Sequence, residues 1–483
     1  MNPHILATGK RAPVSVGLCI ALALTVTSCV PPVVQRSVDR SVPQRYSPTD
    51  DTAATAPVPW RDYYRDSNLV ALIDSALVHN QELNIVLQEV EIASNEVLAR
   101  SGEYLPFVNL RAGAGAEKPG RFTRNGAVEE QLEVEPGRKF PSPLPDFLVS
   151  ATVSWEVDVW NRLRSATKAA ALRYAAAGEG ARFLVTNLVA ELASSYYELM
   201  ALDNLLSAID ANIVVLTNAL ATLEQQKQSA RTTELAVRRF EAEVKKNESH
   251  RFEIAQRIVE VENRVNVLVG RFPQRVPRAS SMFADVSMNI PRPGSPTSLL
   301  EHRPDIRRAE QTMQAAELDV VSAKARFYPS LALMGGIGYQ AINAQLLLTT
   351  PESLMFGLAG ELLMPVLNRR AIVAGYNTAN AAQTQAMLNY ERTLRTSVAE
   401  VSNAQAKVAN LAQAYTRKQQ QVEAMKKSVE AAQTLFSAAR ADYLEVLMTQ
   451  RDALEASMEL IETKVEQIRA SIELYRALGG GWQ

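Results

Sequence analysis

Two long stretches of this chain, residues 181–269 and 376–478, contain neither glycine nor proline, although the chain uses both residues freely elsewhere. Glycine and proline are the strongest local breakers of regular structure. The second stretch is rich in alanine, glutamine, glutamate, lysine and leucine, which all favour helix. A helix of about sixty residues or more reaches roughly 100 Å, whereas the average globular helix has about 12 residues. Such helices need partners along their whole length, so the sequence predicts two long antiparallel helical hairpins.

Apolar residues in both stretches recur at alternating steps of four and three. This spacing is the heptad seam along which helices pack in coiled coils. In the first stretch the seam consists of Leu202, Leu206, Ile209, Ile213, Leu216, Leu220 and Leu223. In the second it consists of Leu454, Met458, Ile461, Val465, Ile468, Ile472 and Tyr475. We expect these residues to form the core of the hairpins.

The N-terminal residues 1–28 have the organisation of a secretory signal peptide. Lys10 and Arg11 precede an apolar segment, residues 14–26, that is too short to cross a membrane. The following Ser28 and Cys29 resemble a bacterial lipobox, in which the cysteine becomes the acylated first residue. An ordinary signal peptide with an incidental cysteine is the alternative. Residues 29–59, rich in proline, serine, threonine and valine, predict a lipidated, extended tether.

Residues 60–270 begin with a helical pattern over 68–100. Residues 108–116 then alternate strictly between apolar and polar or small side chains, which is the period of a strand. A second strand pattern covers residues 148–159, directly before the first long hairpin. This part therefore reads as helix, strand, loop, strand and long hairpin.

The same series recurs in residues 303–483, after a proline-rich connector over residues 271–302. Gly113 and Gly115 match Gly336 and Gly338 at a shift of 223 residues. Asn161-Arg162 matches Asn368-Arg369 at a shift of 207, and the difference falls in the loop between strands. The sequence thus predicts a tandem duplication.

Each half supplies two strands, so one chain has four. Four amphipathic strands cannot close a barrel of useful size, and a bilayer does not tolerate open edges because backbone groups there have no water to bond. If these strands span a membrane, three chains would together supply twelve, within the known range of barrels. Aromatic residues near the strand ends fit the girdles of such barrels, with an ordinary core as the alternative: Phe107, Phe147, Trp155, Trp160, Phe327, Tyr328, Tyr339 and Phe356.

Composition and motifs argue against nucleic-acid-binding proteins, nucleotide-binding proteins and enzymes. The net charge of −1 gives no reason to expect nucleic acid as a partner. The segment Gly335-Gly336-Ile337-Gly338 lies in a predicted strand without a following lysine, which argues against a phosphate loop. The four histidines are scattered singly: His4, His79, His250 and His302. We expect no enzyme activity, no cofactor and no metal site.

Several segments carry a resemblance to a known family. They are Leu299-Leu300-Glu301-His302-Arg303-Pro304-Asp305-Ile306, Phe327-Tyr328-Pro329-Ser330, Trp155-Glu156-Val157-Asp158, Tyr443-Leu444-Glu445-Val446-Leu447 and Leu474-Tyr475-Arg476-Ala477-Leu478-Gly479-Gly480-Gly481-Trp482. From about residue 60 to the end, the chain resembles TolC-type outer-membrane efflux proteins, in the lipoprotein branch related to OprM and NodT. The resemblance implies a mainly α-helical homotrimer with a twelve-stranded membrane β-barrel and a helical tunnel through the periplasm.

The resemblance also implies partners and a place in the cell. Such a channel sits in the outer membrane of a Gram-negative bacterium, in contact with outer-membrane lipid, and docks on a periplasmic adaptor and an inner-membrane pump. It passively conducts drugs or other small molecules to the exterior. The alternative is a structural coiled-coil envelope protein without channel activity. That alternative explains the hairpins but neither the alternating strands nor the C-terminal segment.

The resemblance implies two kinds of site residue, and both lie near the middle of each long hairpin, where its two helices are joined. The adaptor-contact tips are expected at Ala230, Arg231, Thr232, Thr233, Ala439 and Arg440, where the family often has Gly-Leu. A periplasmic gate is expected at Asp442, Glu445, Leu447 and Met448. In a trimer Glu445 would form a ring of three carboxylates that favours cations, with Asp442 as a second ring. The alternatives are plain solvated turns and a solvated surface acid.

Overall fold

The computed structural model describes residues 30–32, 36–46, 58–438 and 440–482. The predicted signal peptide, Cys29 and Ala439 lie outside these residues. The chain forms two compact units, and each unit contains segments from both halves of the sequence. We call them the sheet unit, mainly residues 93–174 and 312–387, and the helical unit, mainly residues 38–92, 175–311 and 388–483.

Three helices precede the first strand: α1 (Trp60–Tyr63), α2 (Ser67–His79) and α3 (Gln81–Glu103). The single helix predicted over residues 68–100 is therefore broken, at Asn80. The Asn80 backbone is extended, and its side-chain oxygen accepts a hydrogen bond from the backbone N–H of Leu83 at 2.8 Å. Its side-chain nitrogen donates to the carbonyl of Leu268 at 2.8 Å. Asn80 thus ends α2 and caps α3. Its side-chain hydrogen bonds compete with those of a continuous helix, and the pattern of apolar residues does not reveal this competition.

The first long strand is β1 (Phe107–Glu117), which confirms the alternating pattern. Instead of a plain loop, the following connection contains a short helix, α4 (Arg124–Gln131), and a small hairpin of β2 (Glu133–Glu135) and β3 (Arg138–Lys139). The second long strand is β4 (Leu144–Val157), which begins a few residues before the predicted start.

The second half adds the strands β5 (Ser330–Ala341) and β6 (Leu354–Leu363). The four long strands form one antiparallel sheet in the order β1-β4-β5-β6. Ala344–Leu346 form a 3₁₀ turn between β5 and β6. Each outer strand, β1 on one side and β6 on the other, pairs along one edge only among the described residues.

The two predicted long hairpins are confirmed. The first consists of α5 (Arg162–Gln228) and α6 (Glu234–Val269). The connector that follows contains two 3₁₀ turns, Ser280–Asp285 and Pro296–Ser298, and the short helix α7 (Leu299–His302). After α8 (Pro304–Ala325) and the strands β5 and β6, the second hairpin consists of α9 (Arg370–Ser437) and α10 (Tyr443–Ala477).

The core of the helical unit lies along the predicted seams. Ile209 of α5 and Val465, Ile468, Ile472 and Tyr475 of α10 are buried in one cluster. The same cluster contains a run of α5 residues and two residues of α2: Leu188, Leu192, Tyr196, Leu199, Leu69 and Ile73. By length and hydropathy α5 is apolar enough to cross a bilayer. These apolar residues of α5 are instead buried within the helical unit.

The connector is fixed to the first hairpin by Arg278. Its buried guanidinium donates to both carboxylate oxygens of Asp203 on α5, at 2.6 and 2.9 Å, and also pairs with Glu262 on α6. Burial alone would raise the pKa of Asp203, but hydrogen bonds from Arg278 and Ser280 outweigh it and hold that pKa below its usual value. The carboxylate therefore stays charged throughout the neutral range, and the connector stays tied to the helices.

Arg303 joins the beginning of the second half to the C-terminus. Its side chain is only 5% exposed. It donates to Asp305 at 2.7 Å, to Glu400 of α9 at 2.9 Å and to the backbone carbonyl of Ala477 at 3.1 Å. A buried cation needs such partners, because desolvation without pairing costs several kcal/mol. Two segments that carry the family resemblance thus meet at one ion-pair network.

The C-terminal segment packs through its aromatic residues and glycines. The ring of Tyr475 stacks on Tyr63 with a centroid distance of 4.0 Å, and its hydroxyl donates to the carbonyl of Val58 at 2.6 Å. Trp482 donates from its indole nitrogen to the carbonyl of His302 at 3.3 Å. Gly479 has φ +88°, and a Cβ there would lie 2.5 Å from the same carbonyl oxygen. The chain can pass this close only because residue 479 lacks a side chain.

Replacing Gly479 by alanine should therefore destabilise the helical unit by about 2 kcal/mol, from left-handed strain together with the clash. The measurement is the thermal midpoint of the helical circular dichroism signal in detergent. Gly178→Ala is the matched control, because a Cβ there has no heavy atom within 4 Å and the residue lies inside α5. We expect that control to melt no lower than the wild type, and equal losses for both variants would contradict the packing described for Gly479.

Candidate functional site

The sheet has two chemically different faces. Residues directly opposite one another across the four strands share a face. One row across the sheet is Leu110, Ala151, Ile337 and Phe356, and the neighbouring row is Arg111, Ser150, Gly338 and Met355. Leu110 is 85% exposed and Phe356 is 81% exposed. An apolar face this exposed marks contact with a membrane or with another protein.

The aromatic residues predicted to form girdles do not all behave alike. Phe107 and Phe356 are both exposed, but they lie on opposite faces of the sheet: Phe356 belongs to the apolar face, and Phe107 lies on the face of Arg111. Phe327 is instead almost fully buried and packs edge-to-face against Tyr376 at 5.6 Å. Trp155 donates from its indole nitrogen to the carbonyl of Tyr104 at 3.0 Å. Part of the predicted set therefore holds the base of the sheet unit.

The tip of the first hairpin is a tight turn between α5 and α6. Ala230 adopts a left-handed conformation with φ +53°. The backbone N–H of Arg231 donates to the carbonyl of Gln226 at 2.9 Å, and that of Ala230 donates to the carbonyl of Lys227 at 2.9 Å. This pair of bonds is the Schellman ending of a helix, in which the left-handed residue is usually glycine. Thr233 then caps α6, because its hydroxyl accepts from the N–H of Ala236 at 3.3 Å.

The side chains of this tip are largely presented to solvent. Ala230, Arg231 and Thr233 are exposed, and Thr232 is half-buried. Around them Lys227 pairs with Glu234 across the turn, and Glu234 also accepts from Arg238 at 2.8 Å. The tip is therefore a tight turn bridged by an ion pair, and its exposed surface is small and polar.

The second tip has the same ending, as far as the structure describes it. The N–H of Arg440 donates to the carbonyl of Leu435 at 2.8 Å, which is the longer Schellman bond. Asp442 precedes the first turn of α10, but its side chain makes no capping hydrogen bond. Arg440 and Asp442 are both exposed. All the predicted tip residues that the structure describes, which are the whole first set and Arg440, thus lie at hairpin ends.

The predicted gate residues divide by their surroundings. Glu445 and Met448 are exposed in the first turns of α10. Leu447 is buried in a cluster between hairpins, with Leu216 and Leu223 of α5 and with Phe240 of α6. Its apolar side chain therefore packs within the chain, and the exposed positions of the predicted set are Asp442, Glu445 and Met448.

Sequence reasoning missed a buried carboxylate in the helical unit. Glu198 of α5 is almost fully buried and forms ion pairs with arginines of two other helices. The distances are 2.6 Å to Arg469 of α10, 3.1 Å to Arg257 of α6 and 3.5 Å to Arg264 of α6. Nothing in the spacing of a single sequence shows that these arginines converge. Elsewhere, no group of three or more metal-ligating side chains occurs among the described residues.

Comparison with known proteins decides the family. The profile described as "Outer membrane efflux protein" matches residues 72–271 and 296–480, which cover both halves of the chain. The chain belongs to the outer membrane efflux protein family. Its strands and long hairpins are therefore those of an outer-membrane efflux channel, and it resides in the outer membrane. The structural coiled-coil alternative is not supported.

Individual efflux proteins align over nearly the whole chain. The cation efflux system protein CusC of Escherichia coli O6:H1 is 26% identical over 474 residues, covering 96% of this chain and 98% of CusC. The toluene efflux pump outer membrane protein TtgI of Pseudomonas putida is 25% identical, covering 89% of this chain and 88% of TtgI. A crystal structure of a membrane protein from Pseudomonas aeruginosa superimposes with a TM-score of 0.82 at 22% identity, covering 93% and 99% of the two chains.

The left-handed alanine gives a test of the tip geometry in this efflux protein. Ala230→Gly should remove roughly 1 kcal/mol of backbone strain, so the tip amides should exchange with deuterium about fivefold more slowly. Ala221→Gly is the matched control, because Ala221 is exposed in the interior of α5, where glycine weakens a helix by about 1 kcal/mol. Hydrogen–deuterium exchange over residues 226–236 and 217–225 measures both. The same direction of change in both variants would contradict a left-handed Ala230.

Proposed function

We propose that three copies of this efflux protein close one twelve-stranded barrel and that their long hairpins form a tunnel on the periplasmic side. The observation that carries the proposal is the open four-stranded sheet, with one exposed apolar face and two unpaired edges among the described residues. Backbone groups at such edges cannot remain unpaired in hydrocarbon. Antiparallel pairing of β6 with β1 of the next copy satisfies both edges, and three copies fall within the range of known barrels.

The chain also carries the signs of a tandem duplication. The helices α5 and α6 have 67 and 36 residues, and α9 and α10 have 68 and 35. Asn161 and Asn368, which correspond in the sequence, are both left-handed, with φ +57° and +53°. Each lies in the short connection from the second strand of its half to the first long helix. A repeated sharp turn of this kind supports two copies of one ancestral unit.

The channel docks, in this proposal, on a periplasmic adaptor and an inner-membrane pump. The exposed tips at Arg231 and Arg440 are the contact surface for the adaptor's own helical hairpins. Cys29 is acylated and anchors the mature N-terminus to outer-membrane lipid. From the anchor the chain reaches the helical unit near Asp39, whose N–H donates to Glu391 at 3.1 Å, and near Arg40, which pairs with Glu310 at 3.5 Å.

Channel activity is tested directly in planar lipid bilayers. Purified protein should insert as a trimer and give discrete, voltage-independent steps of ion conductance, because a closed barrel of twelve strands encloses water. Chemically unfolded protein in the same detergent is the control. If the folded trimer conducts no ions at any potential or salt concentration, the protein has a structural role in assembly and is not a channel.

The gate is proposed at Glu445, with Asp442 and Met448 beside it. Three carboxylates at a constriction create a negative potential that favours cations. Glu445→Gln should therefore shift the reversal potential in a salt gradient towards that of a non-selective pore and change the single-channel conductance. Glu455→Gln is the matched control, because Glu455 is also exposed on α10, about three turns further from the tip. If Glu445→Gln leaves both conductance and selectivity unchanged, Glu445 does not line the gate.

The adaptor contact is tested by crosslinking in cells. Single cysteines at Thr232 and at Asp442 should be joined by a short thiol-specific crosslinker to a periplasmic adaptor, identified by mass spectrometry. A cysteine at Asn389, which is exposed on α9 close to its sheet end, is the control and should give no such product. Labelling of the tip cysteines by reagents confined to the cell exterior would place the tips on the wrong side of the membrane.

A further inference from the structure

The two hairpin tips present an arginine in the same way. The backbone N–H of Arg231 donates to the carbonyl of Gln226 at 2.9 Å, and the N–H of Arg440 donates to the carbonyl of Leu435 at 2.8 Å. Each bond is the longer of the two that end a helix in a Schellman turn. The same backbone bond therefore fixes an arginine at the same position of each tip.

Both tips also lie at the same end of the helical unit. Phe436, near the end of α9, and Tyr443, at the start of α10, pack against a buried apolar cluster. That cluster contains Leu223 of α5 and Val237 of α6, which lie beside the first tip. Because one cluster adjoins both tips, the two arginines are presented together to whatever meets this end.

Neither arginine finds an acid within the described part of the chain. Arg231 and Arg440 are both exposed, and neither guanidinium forms an ion pair or a side-chain hydrogen bond with another described residue. Arginines near a helix C-terminus can bind the last carbonyls of that helix, but these two do not. The acid nearest to Arg231 in sequence, Glu234, is already paired with Lys227 and Arg238.

The sides of the first hairpin show a different use of basic residues. Most basic residues of α6 are ion-paired: Arg238, Lys245, Lys246, Arg251, Arg257 and Arg264. Acids and bases thus balance each other along the helix, as on an ordinary solvated surface. The arginines of the tips depart from this balance, and they do so at the two positions that an approaching partner meets first.

The two tips differ in the acids that surround them. Glu234 is the only acid between residues 226 and 240, and its charge is already balanced by ion pairs. Beside Arg440, in contrast, Asp442 and Glu445 are exposed. A carboxylate that approaches Arg231 therefore meets no unpaired acid of the same tip, whereas one that approaches Arg440 is partly repelled. The first tip should attract an acidic partner more strongly than the second.

We infer that the adaptor carries carboxylates at its hairpin tips and that these pair with Arg231 and Arg440. The inference rests on the proposed function, because it names the chemistry of the partner that docks on these tips. A planar guanidinium can bind a carboxylate through two parallel hydrogen bonds, so each pair orients the adaptor as well as attracting it. Charges at the rim of an interface act mainly on association rate and partner choice. The arginines thus select adaptors with acidic tips over adaptors with neutral or basic tips.

Charge reversal in cells tests the chemistry of the partner. In the Thr232→Cys background, a short thiol-specific crosslinker reports how often an adaptor occupies the first tip. Arg231→Glu with Arg440→Glu should lower the yield of the channel–adaptor product about tenfold, because like charges then face each other. Arg231→Lys with Arg440→Lys should give an intermediate yield, because lysine keeps the charge and loses the forked geometry. Reversal of Arg231 alone should lower the yield more than reversal of Arg440 alone.

The matched control reverses two other exposed basic residues, in the variant Arg239→Glu with Lys426→Glu. Neither residue forms an ion pair with another described residue, and each lies on the side of a hairpin, about two turns or more from its tip. The control changes the net charge by the same amount and leaves the tips intact, so its yield should equal that of the parent. An equal loss in both variants would show that the overall charge of the hairpins attracts the adaptor, and it would overturn the inference.

A reciprocal change in the adaptor tests for direct pairs. The crosslinked adaptor is identified by mass spectrometry, and the acidic residue beside its crosslinked position is replaced by arginine. This adaptor should join the doubly reversed channel about as well as the two parent proteins join each other. Such recovery also excludes misfolding of the reversed channel as the cause of its loss. A loss that the reciprocal change does not restore would contradict a direct pair.

The outcomes separate this inference from the proposed function. If an adaptor crosslinks to the first tip but has no acid there, or if charge reversal leaves the yield unchanged, the acidic partner is wrong and docking at the tips stands. If no adaptor crosslinks to a cysteine at Thr232 or at Asp442, both the acidic partner and the docking at the tips are wrong.

Discussion

The backbone hydrogen bonds of a sheet placed among lipids are the constraint on which this molecule depends. Each strand edge carries a row of N–H and C=O groups that need partners once water is removed. Within one chain β4 and β5 satisfy each other, whereas β1 and β6 are left with one free edge each among the described residues. The exposed apolar face built around Leu110 and Phe356 makes solution an unsuitable place for such a sheet. In the proposed trimer, closure between copies pairs both strand edges and places the apolar face against lipid.

The helical unit meets a different requirement. Most of the stability of helices in proteins comes from packing of an apolar face, so α5 and α10 depend on partners along their seams. The buried cluster around Ile209 and Val465 supplies that contact between the hairpins. Ion pairs then fix the irregular segments onto the helices: Arg278 holds the connector, and Arg303 holds the C-terminal segment. Apolar seams thus provide the stability, and buried arginines fix the position of the chain between helices.

Much of this architecture could be predicted from sequence because long uninterrupted patterns leave few alternatives. Stretches without glycine or proline gave both hairpins, and strict alternation gave β1. The break at Asn80 was missed, since a capping side chain competes with helix through hydrogen bonds that apolar spacing does not report. The short helix and hairpin before β4 were missed because their periodic segments are too short to stand out.

The candidate sites were predictable only in part, for a related reason. Hairpin tips follow from counting residues, and both lie where expected. The direction of each side chain near a tip depends on helical phase after the turn, which sequence does not fix. Leu447, expected at the gate, is buried in the same cluster as Phe240, whereas Glu445 two residues earlier is exposed. Convergence of distant arginines on Glu198 requires three helices to be positioned first.

The connector over residues 271–302 reduces how strongly assembly depends on the concentration of the protein in the membrane. It keeps the two halves of the sheet in one chain, so the contact between β4 and β5 forms within a molecule, whatever the number of molecules in the membrane. Only the β6–β1 contact depends on how many copies are present. In the proposed trimer, three of the six junctions between strand pairs lie within single chains, so only three depend on encounters between molecules, and dilution would penalise assembly correspondingly less.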